Sequence, residues 1–192
     1  MFGLIGAVGL LRLADRIWSG APYPVADPAA TAQRLDRHTQ AVYDVLGLPN
    51  AELKSGYGND GNGYGCHYRG LRNLFKQLPS TPPSVPGVVD VSNEWAVKGN
   101  STAEVQAALR RARKALNAQG WQVTRYSRIK DMIDLVVRPP GSVDSVRIST
   151  YPRGLLTVSA YAACARYPSG TLLDDLGMPK LPAQRAPTQL RG

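Results

Sequence analysis

Apolar residues recur at helical spacing most clearly at Val105, Ala108, Leu109, Ala112 and Leu116, a stripe that predicts an amphipathic helix with one buried face. Ser101-Thr102-Ala103-Glu104 marks its start as a capping box. There a hydroxyl and a carboxylate each satisfy a backbone N–H that the first turn leaves without a partner. Gly120 suits the left-handed cap at its end, and Trp121 can fold back onto the last turn. Beyond that point the pattern changes to strands at 121–127, 132–138, 143–151 and 155–166. Pro139-Pro140-Gly141-Ser142 and Pro152-Arg153-Gly154 supply turns between them, and connections this short make the strands antiparallel neighbours. Val88, Val89, Val91, Trp95 and Val97 predict a further strand ahead of the helix, with a bulge near Ser92-Asn93.

The first half of the chain is less regular. Ala32, Leu35, Thr39, Val42, Val45 and Leu46 give a helical stripe over 29–47, ended by Gly47 and Pro49. Arg34, Asp36, Arg37 and Asp44 occupy its other face. Residues 55–65 hold five glycines and two asparagines, which predicts a flexible loop feeding a short strand at 64–69. Leu71, Leu74, Phe75 and Leu78 suggest a brief helix, and the three prolines of 80–86 suggest a second linker or an extended wrap. Past Tyr167 the chain is Pro-rich and irregular, with Leu172, Leu173 and Leu176 placed to dock as one turn of helix. The fold class these elements imply is α+β. One amphipathic helix packs on an antiparallel β-meander, with an N-terminal helical arm and a Pro-rich C-terminal tail. The divisions are 1–20, an apolar N-terminal segment; 21–54, linker and helical arm; 55–167, the α+β domain; and 168–192, the tail.

Residues 1–11 are apolar without interruption until Arg12, Asp15 and Arg16 break the run. At about 1.5 Å per residue such a run reaches roughly half of a ~30 Å hydrocarbon core, too short to span it. Three readings stay open: the remnant of a longer signal anchor, an interfacial helix, or a helix packed on the protein itself. The anchor remnant is the favoured one.

Charge adds a second asymmetry. Residues 1–65 carry five basic and six acidic side chains, whereas 66–192 carry eighteen and eight. Arg110, Arg111, Arg113 and Lys114 fall on the polar side of the capped helix, with Arg125, Arg128 and Lys130 just downstream. If they converge, they offer a salt-sensitive, sequence-blind polyanion surface. A solvated helix face accounts equally well for such a set, and a nucleic-acid role is the minor reading.

Cys66 and Cys164 are the two cysteines, far apart and each in a predicted strand. Their spacing fits no metal motif, and an isolated pair of this kind predicts a disulfide in an exported domain. The competing readings are two buried thiols, or a zinc site shared with His38 and His67. His38, amid Arg34, Asp36 and Arg37, reads as a solvated surface residue. His67 follows Cys66 and so points to the opposite face of its strand. Asn59-Asp60-Gly61-Asn62-Gly63 has oxygen donors but lacks the further carboxylates of a calcium loop. No Gly-x-Ser-x-Gly elbow and no phosphate loop is present, so neither catalysis nor a cofactor is expected. Tyr57 and Tyr64 flank the Gly-rich loop and are candidate partner contacts.

The run from a helix ending at Leu116 into Gly120-Trp121-Gln122-Val123 resembles the small RNA-cleaving toxins of the HicA kind. Those carry a catalytic histidine on the following strand; 126–131 has none, so that activity is not implied. The whole chain resembles the uncharacterised small exported or membrane-anchored proteins common in high-GC actinobacteria. The likeness lies in its Ala/Arg-rich helices, one cysteine pair and a Pro-rich tail. It implies an extracytoplasmic location and no activity. The expected function is a non-enzymatic binding or structural module of the cell envelope, its partner an envelope protein or an anionic surface. The alternatives are a basic polyanion-binding protein, or a small enzyme without a recognisable motif, its site gathering Glu94, His67 or Asp60.

Overall fold

In the computed structural model the described residues are 13–57 and 62–191. The apolar run 1–11, Arg12 and the Asn59-Asp60-Gly61 part of the Gly-rich loop lie outside them. Four α-helices and eight strands follow in chain order among the described residues: α1 (13–19), α2 (Pro28–Leu46), β1 (Glu52–Leu53), β2 (Asn62–His67), α3 (Leu74–Gln77), β3 (Ser84–Lys98), α4 (Thr102–Ala118), β4 (Gln122–Ile129), β5 (Met132–Arg138), β6 (Ser145–Thr150), β7 (Leu156–Tyr161) and β8 (Ala165–Arg166). The fold is α+β, with one sheet in the order β1-β3-β7-β6-β5-β4 and every pairing between its strands antiparallel.

The alternation read from the sequence sorts the two faces of this sheet. Val91, Trp95, Val97, Ile133, Leu135, Val137, Val146, Ile148, Val158 and Ala160 are buried in a single core with the helices. The intervening Glu94, Asp134, Arg147 and Ser149 lie on the other face, as expected for an antiparallel sheet with one side solvated. α4 contributes its predicted stripe, Val105 to Leu116, and its capping box is formed at Ser101 and Glu104. The helix read as an N-terminal arm, α2, packs against α4 on that face and buries Leu35, Val42 and Leu46 completely. Its N-cap is Asp27, whose carboxylate accepts from the Ala30 N–H at 2.9 Å, and Gly47 ends it in the left-handed conformation.

β3 is longer than the pattern predicts. It begins at Ser84, inside the stretch read as a Pro-rich linker, because His67 of β2 pairs with Ser84. Pro86, which has no N–H to give a ladder, lies where the β2–β3 register shifts between Gly65 and His67, and its carbonyl accepts from the Arg166 guanidinium at 3.1 Å. The strand expected over 155–166 is broken into β7 and β8, and Cys164 sits in the gap between them. Cys66 and Cys164 form a disulfide, with Cα atoms 6.1 Å apart. Gly65 of β2 and Ala165 of β8 both pair with Val89, so the bridge ties together strands that meet β3 at one point. The tail docks differently from the expected leucine turn: Leu172 and Leu176 are exposed, and Leu181 and Leu190 pack on the core. Gln184 explains the change. Its amide bonds the Ser92 carbonyl and accepts from the Glu94 N–H, satisfying backbone groups along β3.

The β6–β7 turn requires a glycine. Gly154 has φ +70°, and a Cβ there would lie 1.7 Å from the Asn100 carbonyl oxygen, where the turn abuts the start of α4. Gly154→Ala is expected to cost about 3 kcal/mol or more, because neither backbone can retreat. A urea midpoint within error of the parent would refute this. Breaking the disulfide, whose cysteines are 98 residues apart, should cost about 2–4 kcal/mol, chiefly by freeing the unfolded chain. The check is urea unfolding of Cys66→Ser/Cys164→Ser beside the oxidised parent.

Candidate functional site

Arg110, Arg113, Lys114 and Asn117 follow one another at i, i+3, i+4 and i+7, so α4 carries them as one stripe opposite its buried face. That stripe faces β4, the edge strand of the sheet, and with Val123 and Tyr126 it lines a groove of about 530 Å³. The Arg113 guanidinium lies over the Tyr126 ring, 4.4 Å from its centroid, which holds the cation in place while leaving its donors available. Among the described residues, no ion pair involves Arg110, Arg113 or Lys114. The groove therefore gathers three positive charges without a carboxylate among its lining residues.

The other four basic residues of the predicted set go elsewhere. Arg111 points toward α2 and donates to the Leu46 carbonyl at 3.4 Å. Arg125 belongs to the open face of the sheet, where it pairs with Asp134 at 2.5 Å. A bulge between Val123 and Arg125 accounts for this: it resets the alternation, so that Tyr126 joins Val123 on the helix side. Arg128 reaches the Lys130 carbonyl at 3.5 Å, and Lys130 occupies the β4–β5 turn with φ 53°. Of the candidate contact tyrosines, Tyr57 lies under Lys54 at 5.3 Å. Tyr64 is exposed on β2, its N–H donating to Asp90 at 2.8 Å.

Two carboxylates, Asp134 and Asp144, gather partners from distant elements that sequence spacing does not bring together. Asp134 accepts from Arg125, from Arg147 at 2.6 Å and from Ser149 at 2.9 Å, beside a groove of about 290 Å³ on the open face. Burial opposes its charge, but the hydrogen bonds from Arg147 and Ser149 and the two guanidinium charges prevail and lower its pKa. Asp144, 1% exposed, accepts from Arg34 Nε at 2.7 Å and lies 3.2 Å from His38 Nε2. Here too burial works against ionisation, and the hydrogen bonds from His38, Arg34 and Ser142 with the Arg34 charge hold the carboxyl well below the usual range. This corrects the reading of His38 as a solvated residue. Arg34 and His38 stand one turn apart on α2 and clamp it to the β5–β6 connection, with His38 edge-on to Trp121.

The remaining chemistry is sparse. The disulfide takes both cysteines out of any thiol or zinc role. Among the described residues no group of three or more His, Cys, Asp or Glu side chains is placed to hold a metal ion. A second groove, of about 560 Å³, runs between α2 and the tail and is lined by Asp36, Asp44, Arg37, Arg185 and Arg191, whose opposite charges are mixed. Neither Glu94 nor His67 lines any of these three grooves, and Asp60 lies outside the described residues. No helix among the described residues is long and apolar enough to cross a membrane.

No protein-family model matches the chain, and no curated protein matches it. Among solved structures it is similar to the putative lipoprotein LppA from Mycobacterium tuberculosis, at 13% identity over 88% of this chain and 96% of that one, with a TM-score of 0.44. A likeness at that identity and TM-score bears on the activity of neither protein.

The Asp144 clamp makes stability pH-dependent in a defined direction. A carboxyl lowered in the folded state contributes stability above its unfolded pKa and loses it as the pH falls toward the folded value. Stability should therefore decline below about pH 4, the unfolded aspartate range. Asp144→Asn should lower stability by about 2–3 kcal/mol at pH 7 and flatten the acid limb. Urea midpoints from pH 7 down to the acid range, for parent and variant, provide the check; parallel curves would exclude the clamp.

Proposed function

We propose that this protein is a non-catalytic, extracytoplasmic binding module of the cell envelope, and that the α4–β4 groove takes an anionic polymer. The observation that carries the proposal is the convergence of Arg110, Arg113 and Lys114 on one groove whose lining holds no carboxylate. The groove between α2 and the tail and the one on the open face mix cations with carboxylates, which leaves less field for a ligand. Phosphate, sulfate or carboxylate groups fit this one. Arg113 and Arg110 supply forked donors, Lys114 a compact charge, Asn117 a neutral amide, and Tyr126 a flat surface beside them. An open groove of this kind suits a repeating chain better than an enclosed small molecule. The disulfide supports an oxidising compartment outside the cytoplasm, which favours an envelope polymer over nucleic acid as the ligand.

The test is retention on heparin together with binding of a fluorescent polyphosphate across a salt series. Binding should weaken steeply with salt, and replacing Arg110, Arg113 and Lys114 with Ala should reduce the log–log slope by about 2, at roughly 0.7 for each lost contact on a flexible chain. Arg111→Ala and Arg125→Ala should leave the slope unchanged. Weak, salt-insensitive binding, or a triple variant that behaves as the parent does, would overturn the assignment.

A further inference from the structure

The 3-10 turn Leu71–Asn73 and the α3 helix that continues it are amphipathic in the inverse sense of a packed helix. Their buried residue is polar: Asn73 is 8% exposed and donates from its side-chain amide to the Arg69 carbonyl at 2.7 Å. Their solvent face is apolar: Leu71, Leu74, Phe75 and Leu78, at i, i+3, i+4 and i+7, are 56%, 48%, 83% and 67% exposed. α1 is exposed over residues 13–18, and its Leu13, Ile17 and Trp18 are all more than half exposed.

These two stretches, distant in sequence, are joined backbone to backbone. A Cβ on Gly70 would lie 2.3 Å from the Gly20 nitrogen and 2.6 Å from the Trp18 carbonyl oxygen, and one on Gly20 would lie 2.5 Å from Arg69 Cβ. Both glycines have positive φ, so the crossing depends on residues without side chains. The two stretches that meet at this junction thus expose seven large apolar side chains between them, more than the scattered surface hydrophobes of an ordinary soluble domain. Cations accompany them: Arg16, Arg69, Arg72 and Lys76 are exposed. The carboxylate within these stretches, Asp15, accepts from the Ser19 hydroxyl at 3.0 Å.

We propose that α1 and the 71–78 segment form one docking face that seats on an anionic lipid bilayer. Trp18, Phe75 and the leucines enter the boundary between headgroups and acyl chains while Arg16, Arg72 and Lys76 meet lipid phosphates. The cations decide in favour of a bilayer over a second copy of this chain: two such faces brought together would bury like charges against one another. The proposal rests on the envelope reading for its location and uses no residue of the α4–β4 groove.

The test is flotation of the full chain with phosphatidylcholine vesicles and with vesicles containing phosphatidylglycerol. The parent should bind the anionic vesicles and bind the neutral ones far less. Phe75→Ser/Leu78→Ser, at exposed positions that leave the core intact, should weaken binding by about tenfold or more. Arg72→Gln/Lys76→Gln should weaken it by roughly 30-fold on anionic vesicles alone, at about 1 kcal/mol per cation. Both pairs should keep heparin retention, which separates a failure of this face from a failure of the groove. The proposal is overturned if the parent ignores anionic vesicles, or if both variants float as it does. It is equally overturned if only the triple groove variant loses binding, or if Phe75→Ser/Leu78→Ser abolishes self-association in place of vesicle binding.

Discussion

Fifteen consecutive residues of β3 run past β1 and β2 along one edge and β7 and β8 along the other. The rest of the molecule takes its position from that strand. Its Trp95, 2% exposed and edge-on to Tyr43, fixes where α2 lies over the sheet. Its neighbours β2 and β8 converge near Val89, which brings the cysteines within bonding distance. Backbone groups that the paired strands leave over at Ser92 and Glu94 are taken by Gln184, which draws an otherwise irregular tail onto the body. A strand bonded on both edges is also the element least able to shift, so what attaches to it is held rigidly.

Charge is distributed by a similar logic. Asp134 on the open face and Asp144 under α2 are each surrounded by cations and hydroxyls or imidazole, and their charges serve the fold. In the α4–β4 groove Arg110, Arg113 and Lys114 have no carboxylate partner among the described residues. The positive excess of the second half of the chain is thus partly spent internally and partly concentrated at one sheet edge. The apolar face at α1 and 71–78 lies on different elements, so anchoring and ligand binding would draw on separate surfaces.

Much of the architecture was legible from local pattern. The capped helix at 102–118, the strands after it and the one-sided alternation of the sheet follow from periodicity, because each side chain reports directly on whether its face is wet or dry. The i, i+3, i+4 spacing of Arg110, Arg113 and Lys114 was likewise readable. Tyr126 as the far wall of their groove was not, because one extra residue near Thr124 reverses the parity of β4 and no local pattern announces it. Arg125 turns to the open face, beside Asp134, for the same reason.

The sequence by itself determined the helices at 28–46 and 102–118 with their buried stripes, and the strands that follow the second of them, since those follow from short-range sterics and hydrophobic spacing. Tertiary structure alone decided that 84–86 would extend β3, that His38 would close on Asp144 more than a hundred residues away, and that the leucines of 71–78 would face solvent. Each of these depends on a partner brought near by chain crossing, such as the Gly20–Gly70 contact. A pattern of apolar residues states that a face must avoid water; it does not state whether the protein's own core or a surface outside it will do the covering.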